Sequence, residues 1–321
     1  MRFVFHANAS KQKGSGHVLR SSVLAQEAIA GGYECIFVGQ IKNLNWVYEH
    51  IKKIGFDQIH ETFSTFHSEP KRDILIFDSY DLPIDNVYIQ PDFWRLVVCI
   101  ADESTPTYKC DLRIKPSLSR DQNELASDSV LCGPEYLLIR KSIIKSLSQE
   151  SDFIKIIVSG GGTDVHGFST EIAKILDEIP TNIEVHFFAQ ELNKSKHGKI
   201  FVNHKFGSDL DIVCETADLA FTTASTSSFE FIAREIPIGV VCAVKNQESY
   251  YYQLGELEYA EQIGYFKDNK WQLDKEKIVN LVASEALRLK LRAKVHNLVD
   301  LNGATRVLNR IENHIKVNNE F

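Results

Sequence analysis

Positive charge is in short supply. Thirty-six Lys and Arg stand against 43 Asp and Glu, a formal net charge of -7. That balance argues against a protein held to nucleic acid by a basic face, although an acidic protein can still carry a local site for an anionic ligand. Long apolar runs are missing as well. No stretch approaches the roughly 20 apolar residues of a membrane span, and Met1-Arg2-Phe3-Val4-Phe5 runs straight into polar residues, without the apolar core of a signal peptide. A cytoplasmic protein is expected. The six cysteines form no Cys-x-x-Cys pair, and Cys35, Cys99 and Cys242 lie inside apolar runs, the setting of small buried hydrophobes in a reducing compartment. No clustered His and Asp ligand set for a metal is evident, no cofactor is called for, and there is neither a low-complexity segment nor a short-period repeat.

What remains is an ordinary globular mixture, 44% hydrophobic and 25% charged over 321 residues, long enough for two domains at roughly 150 residues each. The first half opens on an apolar run at residues 2–5. A basic, Gly-bearing loop follows, then a helical stripe over residues 17–30 (Val18, Leu19, Val23, Leu24, Ala28), closed by Gly31-Gly32. A second apolar run covers residues 35–38. This strand–loop–helix–strand order starts a parallel sheet. A helix is expected near residues 46–54, and strands at 74–77, 96–100 and near 111–114; continuous apolar runs fit strands buried on both faces. Residues 141–152 are polar, and the domain boundary is placed there, giving domains 1–145 and 152–321. The second half repeats the grammar. Strands are expected at 154–158, 183–188, 219–222 and 238–242, helices near 169–178 and 225–234, and mostly helix from Lys275 onward. The fold class is α/β, with two doubly wound halves facing a cleft at the carboxyl ends of their strands.

Several segments sit where chemistry is done in such folds. Gly14-Ser15-Gly16-His17 opens a helix straight after a strand and loop. Glycine lets backbone N–H groups approach a ligand closely, and a helix start favours an anion. The same position favours the neutral imidazole of His17, which can accept a proton; a bland alternative is a capping histidine beside a flexible turn. The dinucleotide fingerprint G-x-G-x-x-G is absent, because Arg20-Ser21 stand where a third glycine would be. Gly160-Gly161-Gly162-Thr163-Asp164 follows the first strand of the second half, suited to phosphate or sugar contact or to a plain turn with Thr163 or Asp164 capping the next helix. Ser225 to Ser228 offer hydroxyls and N–H groups to a pyrophosphate, or merely cap their helix. Glu230, one turn in and flanked by Phe229, Phe231 and Ile232, can accept both hydroxyls of a ribose or stand as a solvated carboxylate. Lys245-Asn246-Gln247-Glu248 ends a strand and points at the same edge, or forms a surface loop. Asp78-Ser79-Tyr80-Asp81 and Asp102-Glu103 end two strands of the first half, where a lone Asp often only caps a helix.

Taken in order, GSGHVLR (14–20), FDSY (77–80), GPEYLLIR (133–140), SGGGTD (159–164), SSFEFIA (227–233), VKNQES (244–249) and NGATRV (302–307) resemble the nucleotide-sugar hydrolases of the pseudaminic acid pathway, GT-B-like enzymes that release UDP from a UDP-2,4-diacetamido-2,4,6-trideoxyhexose. The resemblance runs through nearly the whole chain. It implies a GT-B-like fold of two Rossmann-like domains and an inverting hydrolysis in which His17 is the general base for water or orients it. It places Gly14, Ser15 and Gly16 on the phosphate side of the first domain, and Asn8, Asp78 and Tyr80 on its sugar side. Ser227, Ser228 and Glu230 fall on diphosphate and ribose, with Asn246 and Gln247 on the phosphate or sugar side, while Gly161, Gly162 and Thr163 keep the phosphate or sugar contact read from their turn. No metal is implied. The sugar side departs from the family pattern: Phe-Arg-x-Asp-x-Ser is here Phe5-His6-Ala7-Asn8-Ala9-Ser10, Asp-His-Tyr is Asp78-Ser79-Tyr80, Asp-Asp is Asp102-Glu103, and Asn-Gln-Asn is Lys115-Pro116-Ser117. The alternative is therefore a glycosyltransferase that uses a sugar acceptor in place of water in surface polysaccharide biosynthesis, with the UDP base open to CMP. The amphipathic run 275–317 is expected to cross back onto the first domain rather than form a dimer face, so a monomer is expected.

Overall fold

The computed structural model describes the whole chain except residues 71, 81, 103–104, 120–126, 148–150, 165, 190–192, 209 and 319–321. The chain divides into two compact units, one of Met1–Lys141 with Asp300–Phe321 and one of Ser142–Val299.

The first unit alternates strand and helix: β1 (Arg2–Ala7), β2 (Ala9–Ser10), α1 (Gly16–Ala30), β3 (Glu34–Val38), β4 (Ile41–Lys42), α2 (Asn45–Ile54), β5 (Gln58–His60), β6 (Asp73–Asp78), β7 (Leu96–Ile100), β8 (Leu112–Pro116) and β9 (Val130–Gly133). Seven of these make one sheet in the order β5-β3-β1-β6-β7-β8-β9, parallel throughout. Each strand alternates its side chains between two apolar layers. Phe3, Phe5, Ile74, Ile76 and Val98 face the helices, packing with Val18, Leu24 and Ala28 of α1 and Val47 and Ile51 of α2. Val4, Leu75, Phe77 and Val97 face the other way, under Phe63, Phe66, Ile89, Trp94 and Tyr108 of the connecting segments.

The second unit repeats the scheme: β10 (Ile154–Ser159), α3 (Phe168–Glu178), β11 (Ile183–Phe188), β12 (Ile200–His204), α4 (Leu210–Cys214), β13 (Leu219–Thr223), α5 (Thr226–Ala233), β14 (Ile238–Cys242), α6 (Glu248–Glu256), β15 (Glu261–Lys267), β16 (Lys270–Leu273), α7 (Lys275–Ala283) and α8 (Glu285–Val295). Its sheet runs β12-β11-β10-β13-β14-β15-β16, parallel up to an antiparallel β15–β16 hairpin. Strands β5, β9, β12, β15 and β16 and helices α4 and α6 go beyond the elements read from the sequence. Most of these strands are short, polar or at an edge, so the continuous apolar run that betrays a buried strand is missing.

The chain then returns to the first unit as α9 (Gly303–Asn318). Val307, Leu308, Ile311 and Ile315 join the core beneath α1. The start of α9 lies against the segment after β9: a Cβ on Gly303 would stand 2.1 Å from the Leu137 carbonyl oxygen, so only glycine fits. Arg306 Nη1 donates to the Glu135 carbonyl (3.0 Å) and Thr305 Oγ1 to Glu27 Oε1 (2.7 Å), which also pairs with Lys141. GPEYLLIR and NGATRV therefore meet each other and close the first unit. No helix among the described residues is long and apolar enough to cross a membrane.

Candidate active site

β1 and β6 run side by side, with Ala7 opposite Asp78, and α1 leaves the β1–β2 end of the sheet above them. His17, in the first turn of α1, comes down on Asp78, the final residue of β6. Its Nδ1 lies 2.5 Å from Asp78 Oδ1. Arg20, three residues on and so on the same helix face, grips both carboxylate oxygens: Nε bonds Oδ2, and Nη2 donates to Oδ1 at 2.6 Å. Arg20 Nη1 is also 3.5 Å from Asp102 Oδ2, after β7. Tyr80 donates its hydroxyl to that same Asp102 oxygen, and its ring meets the His17 ring edge-on, centroids 4.5 Å apart at 84°. Five side chains close into a ring.

Protonation follows from the partners. Burial pushes the Asp78 carboxyl up, but Arg20 and His17 outweigh it and hold the group below the ordinary carboxylate range. An ionised carboxylate only accepts hydrogen bonds, so a 2.5 Å contact requires the His17 proton on Nδ1. Arg20 Nη2, 3.4 Å from that nitrogen, is a neighbouring charge. Nε2 of His17 is then an open lone pair, with no hydrogen bond among the described residues. Asp78 faces inward: its side chain is fully buried, so it bears on any ligand through His17. His6, at the end of β1 on the opposite sheet face, donates Nδ1–H to the Val38 carbonyl (2.8 Å). Burial drives its pKa down to about 4, against that bond, so it is neutral, with Nε2 buried and without a partner among the described residues.

Gly14 (φ 78°) closes a small bridge with Ser10, bringing Gly16 and His17 to the helix start. Ser15 occupies the cap position but its side chain makes no capping bond, so the first-turn N–H groups of α1 are not met by a capping hydroxyl. Asn8 turns its amide oxygen to the Gln40 N–H (2.8 Å). Asp81 and Glu103 lie outside the described residues.

In the second unit, β10, β13 and β14 are adjacent, and the segments singled out in the sequence leave their carboxyl ends together. After β10, Gly161 takes φ 80°, and a Cβ on Gly160 would meet Asp164 Oδ1 at 2.0 Å. Asp164 accepts from Ser169 N and Oγ at the start of α3, the capping half of its two readings. Gly162 and Thr163 are half-buried on the same turn. After β13, Ser228 donates its hydroxyl to the Ser225 carbonyl (2.6 Å) and Thr223 Oγ1 lies 3.1 Å from Ser225 Oγ. Ser225, at the cap position of α5, makes no side-chain capping bond; Ser227 is half-buried on the first turn and Glu230 one turn in. After β14, Gln247 Oε1 accepts from Ala243 N (2.9 Å), with half-buried Asn246 beside it.

Arg20 and the pairing of Asp102 with it were not selected from the sequence. The signal was present: an arginine at i+3 from the histidine shares its helix face, and a buried strand-end aspartate needs such a partner.

No family model matches the chain. A curated enzyme does. The chain is similar to UDP-2,4-diacetamido-2,4,6-trideoxy-beta-L-altropyranose hydrolase of Campylobacter jejuni, with 21% identity over 264 residues, 78% of this chain and 94% of that hydrolase. Among solved structures it is similar to the glycotransferase of kitacinnamycin (TM-score 0.67, 12% identity, 98% of this chain and 99% of that one). It is likewise similar to CalG4, the calicheamicin glycosyltransferase (TM-score 0.61, 14% identity, 98% of each chain). The fold is that of GT-B glycosyltransferases, two Rossmann-like units in one chain.

Proposed function

We propose that the chain hydrolyses a nucleotide-activated sugar, with His17 as the general base. The observation that carries this reading is the polarised imidazole, with Nδ1–H committed to an ionised, buried Asp78 and Nε2 left open. In the proposed step a water oxygen attacks the anomeric carbon and gives its proton to Nε2. The bond from that carbon to the diphosphate oxygen breaks, its electron pair leaves with the nucleoside diphosphate, and the carbon inverts. The imidazolium formed is stabilised by Asp78, as in other carboxylate–histidine bases. The diphosphate would be met by the uncapped N–H groups of α5 and the Ser227 hydroxyl, with Ser228 shaping the turn. Glu230 would take the ribose, and Gly161, Gly162, Thr163, Asn246 and Gln247 the phosphate and sugar side. Similarity to the Campylobacter hydrolase favours a UDP-diacetamido-trideoxyhexose as donor.

Incubation with that donor in oxygen-18 water should release UDP free of label and sugar carrying one labelled oxygen. His17→Ala should abolish turnover and leave UDP binding intact; full turnover by that variant overturns the assignment. The glycosyltransferase folds of the structural relatives favour a second reading, in which Nε2 takes its proton from an acceptor hydroxyl. Slow hydrolysis that quickens on adding a glycan, with label excluded from the product, would select it.

A further inference from the structure

We propose that Arg20 is a positioning residue for His17: gripping Asp78 on one side and facing Asp102 on the other, it holds the carboxylate against the imidazole, keeping the ring proton on Nδ1 and Nε2 open. The proposal rests on the base assignment above. Arg20 is 6% exposed, and a guanidinium buried this far is retained only with carboxylates around it. Its Nε and Nη2 take both Asp78 oxygens, so the carboxylate cannot rotate away from the imidazole.

Arg20 also joins two strand ends, since it lies against Asp78 of β6 and Asp102 after β7. Among the described residues the Asp78 carboxylate is held by Arg20 and His17. Without the guanidinium it keeps the imidazole contact alone and can turn, and the Nδ1–H tautomer loses the fixed acceptor that selects it.

The test is the tautomer of the His17 ring, read from its nitrogen-15 shifts by NMR at alkaline pH in Arg20→Gln and Arg20→Lys, beside kcat and KM of donor turnover. The parent should show the Nδ1–H form, and Arg20→Gln a mixture with the Nε2–H form. Arg20→Gln should lose kcat by about 10²-fold, the scale of a misplaced catalytic group, with KM little changed. Arg20→Lys should fall between the two, since a point charge cannot hold both oxygens. An unchanged tautomer, or a loss confined to KM, overturns the proposal. If Arg20→Gln fails to fold, Arg20→Lys decides it by the same two readouts. If no nucleotide sugar turns over, the base assignment falls, while the NMR tautomer still decides the positioning.

Discussion

The two nitrogens of His17 live in unlike surroundings, one pressed on a buried carboxylate and the other open. Asp78→Asn keeps the shape but removes the charge that selects the tautomer. Turnover should drop by about 10³–10⁴-fold, the scale on which a carboxylate-oriented histidine loses function, with UDP affinity unchanged by calorimetry. His6 makes a different prediction. Its folded pKa of about 4 lies below the ordinary 6.5, so the unfolded chain binds more protons between those values. The contribution of His6 is complete above 6.5, declines as the pH falls toward 4, and levels off below. Urea midpoints should show a loss of about 2 kcal/mol at pH 5 relative to pH 8, and His6→Phe should remove that part of the slope. His17 was legible in the sequence because a histidine after G-x-G at a helix start is a local pattern. In the sequence alone Asp78 resembles a sugar contact, because its burial depends on the β1–β6 register and on α1 lying over it, which no local pattern encodes.

The apolar runs of β1, β3, β6, β7, β10, β13 and β14 announce parallel strands covered on both faces, and the helices between them announce the crossovers. The β15–β16 hairpin is less plain in the sequence. Asp268 and Asn269, at φ 51° and 57°, are the left-handed pair that closes a two-residue hairpin, but the flanking residues are polar enough to read as loop. The first turn of α9 bears a prediction of its own. Gly303→Ala would set a methyl group against the Leu137 carbonyl, so the helix must shift. A loss of about 1–3 kcal/mol is expected from chemical unfolding, with faster proteolysis within 303–318. Ile311→Ala, on the buried side of the same helix, should cost about 2–5 kcal/mol through the cavity it leaves.

At the scale of the whole chain, the repeated strand–loop–helix grammar made two doubly wound halves legible. The division itself is less simple than one boundary near residues 141–152, because the first unit is discontinuous and takes back Asp300–Phe321. Burial of Val307, Leu308, Ile311 and Ile315, at about 1.5–3 kcal/mol each, is comparable with the whole net stability of a domain, about 5–15 kcal/mol. Residues 142–299 made alone should melt cooperatively by circular dichroism and bind UDP, whereas 1–141 alone should fail to fold until a 300–318 peptide is added. The return of α9 also sets a timetable for synthesis. The residues of the first sheet leave the ribosome first, yet their core waits for a helix translated some 170 residues after β9 is complete, counting from Gly133 to Gly303. During that interval the unit made second can close while the unit begun first still exposes its apolar faces. This inverts the usual order of cotranslational folding and makes the nascent first unit the natural client of a chaperone.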